Sequence, residues 1–89
     1  MTLSLEDRQQ IEALPLCGTM LADCFDRIGV RSLAELADAD AYQLRVKIAS
    51  TCEDVRIDAF AVRGLHNAIA AARRVRNRRD GIPAESHHG

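Results

Sequence analysis

At 89 residues the chain has the length of one small domain, and a composition nearly half apolar excludes a disordered polymer. Aromatic side chains are scarce, only Phe25, Tyr42 and Phe60 with no Trp, so the core has to be built from Leu, Ile, Val and Ala. That favours closely packed helices over a sheet. The formal net charge of −1 is unevenly spread: residues 1–72 hold seven basic and eleven acidic side chains, while residues 73–89 hold five arginines against Asp80 and Glu85. The pattern is an acidic body with a basic end.

The stretch MTLSLEDRQQ lacks the basic-then-apolar order of an export signal. No apolar run approaches the roughly 20 residues that span a bilayer. Three cysteines, Cys17, Cys24 and Cys52, are an odd number without a disulfide framework. Together these features predict a cytoplasmic protein with reduced thiols and no membrane partner.

In chain order, Ser4 is placed to cap a first helix, with Glu6 and Asp7 in its first turn and Leu5, Ile11 and Leu14 on its apolar face. It must stop before Pro15, because a residue preceding proline avoids the helical region. After the short turn Pro15–Gly18, Thr19 is expected to cap a second helix carrying Leu21, Phe25 and Ile28 on one face, ended by Gly29. Ser32–Glu35 reads as a capping box opening a short third helix, and Asp40–Gln43 as a second, opening a helix with Leu44, Val46 and Ile48. Residues 50–56 read as a loop. From about Ile57 a long helix turns Ala61, Leu65, Ala68, Ile69, Ala72 and Val75 towards the core, with arginines crowding its end where they complement the dipole. The prediction is an all-α, five-helix single domain over residues 1–80, followed by a flexible tail over 81–89.

Two stretches carry a resemblance: Leu14-Pro15-Leu16-Cys17-Gly18-Thr19-Met20-Leu21-Ala22, then Ile28-Gly29-Val30-Arg31-Ser32-Leu33-Ala34-Glu35-Leu36. They resemble a helix-hairpin-helix module, which typically reads Leu-Pro-Gly-apolar-Gly-x-x-x-Ala, then Gly-Ile-x-Ser-x-x-x-Leu. Over residues 11–72 the chain is similar to the pathogenicity-locus, or mitomycin-resistance-like, family of small bacterial proteins. It also resembles the C-terminal domains of the competence-regulator family and of the RNA polymerase alpha subunit. The resemblance implies a SAM-like or helix-hairpin-helix-like fold. It also implies a turn whose exposed N–H groups, here at Gly18 and Thr19, meet a phosphate.

The sequence departs from that pattern where the first glycine has become Leu16 and the usual cation Met20. A leucine in the left-handed conformation costs roughly 1–2 kcal/mol, so the expectation is a rebuilt turn in which Leu16 plugs the core. Glu12, Asp23 and Asp26 flank the turn and would repel a phosphate. Hence the hairpin is read first as a packing device.

Arg73, Arg74, Arg76, Arg78 and Arg79 are the conspicuous charged group. They are candidates to neutralise phosphates with counterion release, or simply a solvated helix end. Cys17 and Cys24 are too far apart for a zinc pair and read as small core fillers, so neither metal nor cofactor is expected. No nucleophile elbow, phosphate-cradling glycine loop or metal-binding helix motif appears, which argues against an enzyme. The resulting expectation is a non-enzymatic module that holds nucleic-acid backbone through Gly18, Thr19 and the C-terminal arginines. The alternative is a protein-docking or homodimerising domain, with the small residues Ala61, Gly64, Ala68 and Ala72 as a contact face.

Overall fold

Short polar side chains decide where three of the helices begin. The structure, a computed structural model, describes residues 3–79. Over that span it is all-α: α1 (Leu5–Glu12), α2 (Gly18–Arg27), a 3-10 helix (Leu33–Asp38), α3 (Ala41–Thr51) and α4 (Ala59–Arg79). The Ser4 hydroxyl accepts from the Asp7 N–H at 3.2 Å, Asp40 from the Tyr42 N–H at 3.3 Å and Asp58 from the Ala61 N–H at 2.9 Å. Each satisfies one orphan donor of a helix start. The Asp58 cap explains why the long helix opens at Ala59 and not at Ile57. The proposed 80/81 boundary and the tail after it lie outside the described residues.

Two expected caps differ. Thr19 lies inside α2; the cap position is Cys17, whose side chain makes no capping bond. Ser32 also makes none, and Glu35 instead reaches back one residue further, accepting from the Arg31 N–H at 3.1 Å. The exit of α2 follows the sequence closely. The N–H groups of Gly29 and Val30 return to the carbonyls of Asp26 and Phe25 at 3.1 and 2.9 Å, a Schellman closure with Val30 tucked inside.

The core is aliphatic around one ring: Ile11, Leu21, Phe25, Leu36, Ile48 and Leu65 are all fully buried. α4 runs through it, its alanines Ala61, Ala68 and Ala72 buried. That small-residue face is therefore used inside the chain and is not free for self-association. Two apolar assignments shift: Leu3 takes the core position expected of Leu5, which is exposed, and Val46 lies on the open side of α3.

The contact that seats the hairpin is made by Gly64. It is buried on α4, with the Leu16 carbonyl and the Leu21 side chain occupying the space a side chain at this position would need. A Cβ there would stand 2.7 Å from Leu21 Cδ1 and 3.0 Å from the Leu16 carbonyl carbon, and closer still to the oxygen. Backbone cannot retreat as a flexible side chain can. Gly64→Ala is therefore expected to cost about 1–3 kcal/mol, as overpacking does. Urea denaturation measures this; an unchanged midpoint would contradict the close approach.

Candidate interaction surface

The turn between α1 and α2 is held from behind by α4. The Asn67 side-chain amide donates to the Pro15 carbonyl at 2.8 Å, and the Cys17 thiol donates to the Gly64 carbonyl at 3.2 Å. Between them sits Leu16, with φ of +65°, followed by Gly18 at +62°. The turn thus keeps left-handed residues at both positions where the motif has glycine. The expectation that Leu16 plugs the core is overturned: its side chain is 48% exposed, and Cys17, 5% exposed, fills the interior instead. The physical reason is that a left-handed residue at 16 sends its carbonyl onto Gly64, which leaves its side chain outside. Strain of roughly 1–2 kcal/mol is accepted there, offset by the two hydrogen bonds and the close packing.

The carboxylates around the turn are compensated. Arg8 pairs with Glu12 at 2.8 Å and also hydrogen-bonds Asp23, and that second bond is the main cause of its raised pKa. Asp26 accepts from the Leu3 N–H at 2.8 Å. Gly18, Thr19 and Met20 are exposed, and their first-turn N–H groups have no acceptor among the described residues.

The arginines do not gather into one site. Arg73 donates from Nε to the Ala37 carbonyl at 3.1 Å, and Arg76 pairs with Asp38 at 2.5 Å, so both clamp α4 to the 3-10 helix. Arg78 lines a surface hollow of about 420 Å³ together with the acidic Glu6 and Asp7. Arg74 is exposed and makes no ion pair among the described residues. The side chain of Arg79 lies outside the described residues. Nor does the cluster adjoin Gly18 and Thr19: from Gly64, which touches the turn, to Arg73 is about 13 Å along the helix axis.

What sequence reasoning missed is apolar. Leu16, Met20 and Phe60 are 48, 39 and 64% exposed. Phe60 lies one helical turn before Gly64 on α4, the glycine that meets Leu16 and Leu21, and Met20 lies in the first turn of α2 next to Leu21 in sequence. The available signal was the offset of Phe60 from the core positions Ala61, Leu65, Ala68 and Ala72.

The chain matches no protein-family model, no curated protein and no solved structure. Among the described residues no group of His, Cys, Asp and Glu side chains converges as metal ligands. No described helix is long and apolar enough to cross a membrane.

All three cysteines are free and buried. Burial pushes the Cys17 thiol from its ordinary 9.0 up to about 11, and burial beside Cys52 pushes Cys24 up to about 12. A pKa raised in the folded state makes stability constant below the ordinary thiol range and lost as pH climbs through it, since unfolded thiols ionise first. Denaturation midpoints are thus expected to fall between pH 9 and 11, by at most about 1.4 kcal/mol per pH unit for each thiol. The fall should be shallower in Cys17→Ala; an identical slope in that variant would contradict the assignment.

Proposed function

We propose that this domain is a non-enzymatic docking module that presents its hairpin tip to a short apolar segment of another protein. The observation that supports this is Leu16, exposed in a strained conformation on a turn anchored to α4, with Met20 at the start of α2 and Phe60 on α4 also exposed. An exposed apolar cluster on a small domain marks an interaction site more often than isolated exposed residues do. The three side chains offer on the order of 300 Å², far short of the roughly 800 Å² per partner of a standard interface. That area suits a peptide segment better than a second copy of the domain. Because the turn is clamped at Pro15, Leu16 and Cys17, it meets a partner preorganised, which lowers the ordering cost of binding. The buried, hard-to-ionise Cys17 and Cys24 are poor nucleophiles, which fits a binding role, and three free thiols fit a cytoplasmic setting.

Nucleic-acid backbone is the second reading, and one observation favours it. α4 contains no acidic residue, and its Arg63 and Arg74 are exposed without an ion pair among the described residues. Eleven residues apart, they return to nearly the same helix face. This reading relies on Arg63, Arg74 and the N–H groups of Gly18 and Thr19, since Arg73 and Arg76 hold the 3-10 helix.

Affinity capture with quantitative mass spectrometry separates the two. A protein bound by wild type and by Arg74→Gln is expected to be lost at least about tenfold with Met20→Asp or Phe60→Asp, whose sites are exposed and tolerate the change. Capture indifferent to Met20 and Phe60, with salt-sensitive duplex binding that weakens in Arg74→Gln, would replace the docking reading by the nucleic-acid one.

A further inference from the structure

A second surface lies on a different side of α4. Two hollows of about 290 and 210 Å³ share Asp40, Ala41 and His66, so they adjoin along the groove between the start of α3 and the middle of α4. From α4 it is lined by Val62, His66, Ile69 and Arg73, and from α3 by Tyr42 and Arg45. At 3.6 residues per turn these α4 positions fall about a quarter turn away from Arg63 and Asn67, and so away from the hairpin.

The lining has a consistent chemistry. Its floor is small and apolar, and its charged walls are cationic apart from Asp40. Asp40 caps α3 through its carboxylate, whose charge disfavours another carboxylate in the middle of the groove, so only the two ends, at Arg45 and Arg73, favour one. Arg73 is held through Nε on the Ala37 carbonyl, so its planar fork is fixed while both terminal nitrogens remain without a partner among the described residues. A guanidinium anchored in this way suits a carboxylate, because little side-chain freedom is left to lose. Arg45 is exposed and unpaired among the described residues, and Tyr42, 65% exposed, stands beside it.

We propose that this groove docks a short acidic amphipathic helix of a partner protein. Val62 to Arg73 spans about 16 Å, the length of a three-turn helix. His66 and Arg73 are seven residues apart, about 10 Å along the axis. Two carboxylates seven residues apart on the ligand would therefore meet Arg45 with His66 at one end and Arg73 at the other. Small apolar residues between them would cover Val62, Ile69 and Ala70, as in other helix-in-groove complexes. The surface is independent of the hairpin tip, so either can fail without the other.

The test uses the full isotope-labelled chain and a synthetic alanine–leucine helix with two glutamates seven residues apart. Controls carry lysines in place of the glutamates, or glutamates five residues apart on opposite faces. Saturable amide shifts are expected at Tyr42, Arg45, His66 and Arg73, with Gly18 and Met20 unmoved. Affinity is expected to be at least about tenfold weaker for both controls and for Arg45→Glu. Tyr42→Ala, altering an exposed side chain, serves as a second variant should Arg45→Glu disturb folding. Equal binding of the lysine peptide, shifts centred on Gly18 and Met20, or no saturable shift would overturn the proposal. So would groove resonances that move with protein concentration alone, which would put a second copy in the groove.

Discussion

One missing side chain holds the hairpin in place. Because residue 64 is glycine, the backbone of the Pro15–Gly18 turn lies directly on α4, and Asn67 and Cys17 tie it there. A methyl group at that point would overlap the Leu16 carbonyl and the Leu21 side chain, so the turn and the helix would have to move apart. The left-handed Leu16 depends on this arrangement. An isolated leucine would leave φ of +65° for a relaxed conformation; here the relaxed conformations would pull its carbonyl off Gly64. Strain at residue 16 and close packing at residue 64 are two sides of one contact.

The electrostatics follow from the same economy of size. A domain this small has a thin core, and it uses its cations to hold elements together at the surface. Arg8 joins α1 to α2, Arg27 joins α2 to the loop after α3 through Asp54, and Arg73 and Arg76 join α4 to the 3-10 helix. The Arg27 guanidinium hydrogen-bonded to Asp54 holds that carboxyl below its ordinary range. Exposed pairs of this kind are individually weak, and their value here lies in fixing which helix faces which. Of the C-terminal arginines, seen as one patch in the sequence, Arg73 and Arg76 hold the 3-10 helix while Arg74 and Arg78 are exposed. Among the described residues, Leu16, Met20 and Phe60, the Arg63–Arg74 face and the groove beside α3 remain exposed.

The helices were legible because their determinants are local. Ser4, Asp40, Pro15 and Gly29 act within a few residues of themselves, and the 3.6-residue spacing of Leu21, Phe25, Leu65 and Ala72 needs no knowledge of the fold. The candidate site was illegible for the converse reason. Whether Leu16 faces inward depends on Gly64, 48 positions away. Whether Arg73 is free depends on the Ala37 carbonyl. The distinction between Leu3 and Leu5 depends on the Leu3 N–H being held by Asp26. A leucine at position 16 reads locally as a residue that would avoid the left-handed region, yet it takes φ of +65° where its carbonyl meets Gly64.

If Leu16 strain and the Gly64 approach are one interaction, a double-mutant cycle between these positions registers it directly. Leu16→Gly alone should leave stability within about 1 kcal/mol of wild type, relief of strain offsetting lost contact and added unfolded-state entropy. In that background the turn has freedom to retreat, so Gly64→Ala should cost less than in wild type, with a coupling energy of about 1 kcal/mol or more. Additivity within about 0.5 kcal/mol, or a loss of about 2–5 kcal/mol for Leu16→Gly alone as for a buried leucine, would contradict it.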